Sequence, residues 1–174
     1  VAVPPISFTT STIGSTSSIC NVADMNGDYL DDIVTVQTNQ MTILTQNTSG
    51  GGFTSTIYPL PGLTATPSWS ICAGDFDKNG FNDLVFGSGS RVAVIKANST
   101  GTAYTETAYP QNIFTQRSNF VDINNDGNLD LWACHDVAQS HAYRNDGSGN
   151  LNFDISLMPT LAVGGNYQSQ WSDL

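Results

Sequence analysis

Apolar and polar residues alternate along this chain in short runs with a period of two, the mark of strands with one face buried. RVAVIKA (91–97) shows it best, and SWSICAG (68–74), DLVFG (83–87) and AYTETAY (103–109) lie around it. None of these runs has the ten to twelve residues, roughly, that an ordinary helix needs. Gly- and Asn-rich turns separate them, as in NTSGGGF (47–53), NSTGTAY (98–104) and NDGSGNLNF (145–153). The pattern predicts an all-β chain.

The strands recur in units. DMNGDYLDDI (24–33), DFDKNGFNDL (75–84) and DINNDGNLDL (122–131) superimpose, and QWSDL (170–174) matches NFVDI (119–123). The leading aspartates, Asp24, Asp75, Asp122 and Asp173, are spaced by 51, 47 and 51 residues. Asn47, Asn98 and Asn145 each follow their leading Asp by 23 residues, so the first half of the unit is fixed in length and the second varies. Four short strands in about 50 residues is the arithmetic of a β-propeller blade. The expected units are 1–14 (the outer strand of a preceding blade, ISFTTST), 15–62, 63–110, 111–160 and 161–174 (the first strand of a further blade). Three blades and two odd strands do not close a ring of about four to eight blades, so the sequence reads as a propeller segment.

Composition agrees with the pattern and narrows the partners. Of 15 acidic residues only Glu106 is a glutamate, against five lysines and arginines, so the residues that favour surface helices are scarce. The net charge of −10 argues against nucleic acid or an anionic membrane surface as partner. No apolar run is long enough to insert as a spanning helix, and the VAVPPISFTT start reads as a mature or excised segment. Three cysteines (Cys20, Cys72, Cys134) form no CxxC pair. They read as small buried residues, with a Cys20–Cys72 bridge left open by the matching SSIC and WSIC strings.

The loops carry the chemistry. Counting from the leading Asp, each offers oxygens at positions one, three, five and nine: Asp24, Asn26, Asp28 and Asp32; Asp75, Asp77, Asn79 and Asp83; Asp122, Asn124, Asp126 and Asp130. Three carboxylates packed this closely repel unless a cation sits among them. Hard oxygen ligands in an irregular loop fit calcium, with magnesium second; the absence of nitrogen or sulfur ligands argues against zinc. Position seven (Leu30, Phe81, Asn128) would add a backbone carbonyl. Position six is Gly80 or Gly127 but Tyr29 in the first loop, where a positive φ would strain it. Two to three calcium ions are therefore expected, the first site being weaker or differently shaped. An EF-hand is excluded: position twelve is Thr35, Phe86 or Ala133 instead of Glu, and the flanks are strands.

DFDKNGFNDLV and DINNDGNLDLW resemble the calcium loops of FG-GAP/VCBS repeats, the blade units of integrin α-subunit-like propellers. YRNDGSGNLNF (143–153) is similar to the hairpin that follows them in bacterial members. The resemblance implies a calcium-stabilised β-propeller on a secreted or cell-surface protein. It would serve as a binding or adhesion platform for a glycan or an extracellular protein, its ring completed by other blades or chains. The alternatives it leaves are a non-catalytic part of an extracellular enzyme acting on polysaccharide or lipid, and a structural subunit completed by another chain.

Little asks for catalysis. His135 and His141 flank a blade turn beside Asp136 and read as polar residues at that turn, since no other blade repeats them. Asp31, Glu106, Asp136, Asp146 and Asp154 form no pair that the sequence places together. Trp69 and Trp171 read as packing between blades ahead of lining a sugar site. Arg91, Arg117 and Arg144 are expected to pair with loop acids. Asn47-Thr-Ser and Asn98-Ser-Thr are glycosylation sequons at equivalent turns.

Overall fold

The computed structural model describes residues 19–48, 51–158 and 165–171. It contains three four-stranded antiparallel sheets, each in simple sequence order. The first blade is β1 (Cys20–Ala23), β2 (Asp32–Gln37), β3 (Gln40–Gln46) and β4 (Phe53–Pro59). The second is β5 (Ser70–Gly74), β6 (Asp83–Gly87), β7 (Val92–Ala97) and β8 (Tyr104–Ala108). The third is β9 (Thr115–Val121), β10 (Asp130–His135), β11 (His141–Asn145) and β12 (Leu151–Phe153). One 3-10 turn, Ile155–Leu157, follows. The chain is a β-propeller segment, and no barrel closes.

The core lies between the blades. Val34, Val36, Met41 and Ile43 of the first blade pack against Leu84, Phe86, Ala93 and Ile95 of the second. The opposite face of the second blade, Val85, Val92 and Val94, packs against Leu131, Ala133 and Tyr143 of the third. Both faces of β6 are covered, which is why DLVFG reads as a nearly continuous apolar run and is buried throughout. Each such side chain contributes about 1.5–3 kcal/mol through burial. The outer face of the first blade differs, leaving Val22 56% and Ile57 58% exposed among the described residues. The far face of the third blade, with Trp132, Cys134 and Ala142, is lined by Leu157 and Met158.

Segment 165–171 also lies along that third blade without forming a strand. The Asn166 amide donates to the His135 carbonyl at 3.2 Å, and Gly165 N to the Asp136 carbonyl. Asn119 Nδ2 donates to Ser169 Oγ at 2.7 Å, and the Trp171 ring meets Trp132 edge-on at 5.6 Å. The strand expected in ISFTTST lies outside the described residues, as do residues 172–174 of QWSDL. All three cysteines are free, so the structure contains no Cys20–Cys72 bridge.

The third blade shifts one sequence landmark. Asn47 N and Asn98 N close their turns on Gly52 O and Ala103 O, but in the third blade Asp146 N does so, on Asn150 O. Asp146, not Asn145, is thus the counterpart of Asn47 and Asn98. The hairpin between β10 and β11 is one residue longer than in the other blades, which moves Asn145 into the strand position of Gln46 and Ala97.

Candidate metal centre

Each blade joins its first and second strands through a nine-position motif, eight loop residues and the first residue of the second strand, and the three loops share a backbone. Positions four and six take a positive φ in every case: Gly27 (80°) and Tyr29 (66°), Lys78 (58°) and Gly80 (91°), Asn125 (57°) and Gly127 (82°). The different shape expected of the first loop is absent from its backbone. Tyr29 accepts the left-handed conformation that glycine holds elsewhere, and its side chain is 96% exposed.

The side-chain oxygens hold that shape in the same way three times. The position-one carboxylate accepts from the amides of positions five and six: Asp75 from Asn79 N and Gly80 N, both at 2.9 Å; Asp122 from Asp126 N and Gly127 N; Asp24 from Asp28 N and Tyr29 N. Position three accepts from the amide of position five through Asn26, Asp77 or Asn124. Position five accepts from the amide of position seven through Asp28, Asn79 or Asp126. Position nine is fully buried as Asp32, Asp83 and Asp130. One of its oxygens accepts from the amide of position two (Met25, Phe76, Ile123), the other from the third strand (Gln46, Ala97, Asn145). Asn and Asp exchange between positions three and five because both supply the same acceptor oxygen.

The loops differ in where their charges lie. In the second loop, carboxylate oxygens of Asp75, Asp77 and Asp83 all lie within 4.8 Å of one another, a group that could hold a metal ion. Burial pushes Asp83 up to about 7, with the nearby Asp77 and Asp75 charges adding to it against the amide bonds that lower it. Burial likewise raises Asp32 and Asp130. Asp24 goes the other way: its slight desolvation is outweighed by four backbone amides, and it lies below the usual range. Asp126 is lowered by the Asn128 amide and by Asn124.

The second loop is also the one walled in. Asn82 Nδ2 donates to the Asp24 carbonyl at 2.7 Å, and Lys78 Nζ to Asn128 Oδ1 at 2.8 Å, so it touches the loops on both sides. Asn145 Nδ2 reaches the Phe76 carbonyl at 2.7 Å. The third blade's 146–150 turn presses on the loop so closely that a Cβ on Gly149 would stand 2.5 Å from Asp77 Cβ. Lys96 Nζ forms an ion pair with Asp77 Oδ2 at 2.8 Å.

These neighbours were not readable as such. Lys96 sits on a strand 19 residues from Asp77, and Asn145 bonds across 69 residues. The arginines do not pair as expected: Arg144 bonds to Asp154, outside the loops, at 2.9 Å, and the cation on a loop acid is Lys96. His135 and His141 stand with ring centroids 5.9 Å apart at the turn between β10 and β11; burial lowers both below the usual histidine range. Trp69 is 49% exposed against Phe114, so it is only partly absorbed by packing.

A family model for the FG-GAP-like repeat matches residues 24–86 and again 75–133. No curated protein matches the sequence. Among solved structures, a lectin of Agrocybe aegerita, described for its specific recognition of non-reducing terminal N-acetylglucosamine, aligns with a TM-score of 0.55 at 21% identity. The alignment covers 86% of this chain and 38% of that one, so the likeness is one of fold and extends over well under half of the lectin.

Proposed function

The chain belongs to the FG-GAP-like repeat family, and on that premise we propose that it is a calcium-stabilised propeller segment of an extracellular binding module, directed at a glycan or a protein surface and without catalytic work of its own. The convergence of Asp75, Asp77 and Asp83 carries the calcium part of this reading. Six to eight hard oxygens at about 2.3–2.6 Å satisfy calcium. Positions one, three, five and nine of each loop would supply them, with the carbonyls of Leu30, Phe81 and Asn128. The ion would neutralise each acidic loop and tie the first strand of a blade to the second, so its binding free energy adds to folding.

The likeness to a lectin fold supports a glycan as the first ligand to try. No helix among the described residues is long and apolar enough to cross a membrane. The exposed apolar residues Val22 and Ile57 on the outer face of the first blade favour further blades, from this or another chain, as additional partners. Calorimetric titration of the chelator-stripped chain is expected to show two to three calcium ions, and chelation to lower the melting temperature by several degrees or more. A melting temperature unchanged after exhaustive chelation would sink the structural-calcium reading.

A further inference from the structure

We propose that the cleft between the first-to-second-blade connection and β8 takes one neutral sugar residue, with the Glu106 carboxylate accepting its hydroxyl or amide hydrogens. This rests on the glycan reading above and gives it a place on the chain. The cleft measures about 340 Å³, at the small end of the roughly 300–1,000 Å³ usual for small-molecule sites, and suits one ring better than an extended oligosaccharide. Pro59, Leu60, Pro61 and Leu63 form one wall, and Tyr104 and Glu106 the other. The Tyr104 ring is fixed by an edge-on contact with Tyr58 at 4.9 Å.

An apolar wall facing one immobilised acceptor matches a pyranose, which offers a C–H face and a rim of hydroxyl donors. Glu106 is held for that task from one side. Its Oε2 accepts from Thr64 N at 2.9 Å and its Oε1 from Thr64 Oγ1 at 2.8 Å. Each oxygen keeps an acceptor direction free. The ion pairs among the described residues are Lys96–Asp77 and Arg144–Asp154, so among those residues no cation pairs with Glu106.

A role as a clip between connection and strand accounts for the two bonds to Thr64. It does not account for the open apolar volume in front of them, nor for the choice of residue. Glu106 pairs with Ile95 on the neighbouring strand; at the same register Leu44 faces Ser55 and Tyr143 faces Phe153. The blade therefore has no general need for an acid there, and the cleft is a feature of one blade junction.

The test uses the whole chain with calcium present and methyl N-acetyl-β-glucosaminide among a panel of neutral methyl glycosides, followed by calorimetry and ligand-observed NMR. One sugar per chain is expected. Glu106→Gln should weaken binding about tenfold, as for loss of a charge-assisted hydrogen bond. Pro61→Trp, on the exposed wall of the cleft and clear of the Thr64 pair, should abolish binding at an unchanged melting temperature. An array of immobilised glycans probed in parallel tests the underlying reading. A wild-type chain silent on the array and in solution would overturn both that reading and the cleft. Glycan binding that survives both substitutions would overturn the cleft alone. Displacement of bound sugar by oligolysine, with oligolysine the tighter ligand, would overturn it in favour of a basic peptide.

Discussion

The first and second loops share one backbone and one set of hydrogen bonds, but they stand in different surroundings. Residues 26–29 of the first loop are exposed to solvent. The second is enclosed by the Asn82–Asp24 and Lys78–Asn128 bonds and by the tight approach of Gly149. The chemistry of the loop is thus local, while its electrostatics come from the neighbours. Desolvation in the middle of the array pushes Asp83 to about 7; burial raises its counterpart Asp32 as well, and Asp24, at position one of the first loop, falls below the ordinary range through its four backbone amides. A carboxylate group that costs most when bare gains most from a cation.

Asp83→Ala should therefore produce the largest effect. It removes one carboxylate of the convergent triad and leaves the amides of Phe76 and Ala97 without their acceptor, each orphaned amide costing roughly 1–3 kcal/mol. Calcium stoichiometry should fall by one. Asp32→Ala breaks the corresponding bonds from Met25 and Gln46 and should also remove one ion, with a smaller loss of calcium-dependent stability. Equal losses of calcium-dependent melting temperature in the two variants would break the comparison.

Protons should separate the loops next. With its metal-free folded value near 7 against 3.8 unfolded, Asp83 holds a proton in the native state between those limits. As the pH rises through that window the metal-free chain loses stability from this group, and calcium must displace the proton below it. Apparent affinity at the second loop should fall by up to about tenfold per pH unit below 7. Titrations at pH 5.5 and 7.5, on Asp83→Ala and on wild type, check whether that slope belongs to the second loop.

How far sequence reading reaches follows from the same distinction. The repeat spacing and the period-two runs define the four-strand unit, because both are local properties of the chain. The oxygen-bearing positions that hold each loop's shape are legible for the same reason: an Asp that accepts the amides four and five residues on needs nothing from outside its loop. Lys96 on Asp77, Asn145 on Phe76 and Thr64 on Glu106 depend on how blades stack, and no local period encodes them. The one-residue offset at Asn145 misled for a related reason. Equal sequence spacing there hid a longer hairpin between β10 and β11.

The turn at Asp146 should give a smaller effect than either loop acid. Its carboxylate accepts from Ser148 N and from the Asn150 side chain, at 2.8 and 2.9 Å, in an exposed hairpin. Asp146→Ala should lower the melting temperature slightly and leave calcium stoichiometry unchanged. A lost ion in that variant would show that the 146–150 turn contributes to the second site it presses upon.

The smallest expected effect bears most directly on the comparison. Tyr29 holds a φ of 66° where its counterparts are Gly80 and Gly127, and its exposed ring contributes almost no burial in return. The left-handed conformation costs a side-chain-bearing residue about 1–2 kcal/mol. Glycine in its place gives back part of that gain through its freer unfolded chain. Tyr29→Gly should therefore stabilise the chain by about 0.5 kcal/mol and tighten calcium at the first loop, because a backbone already at rest reorganises less on binding. The second loop, with glycine in place and neighbours on both sides, should not respond. If first-loop affinity stays fixed while stability rises, the Tyr29 backbone does not limit calcium binding there, and surroundings alone distinguish the two loops.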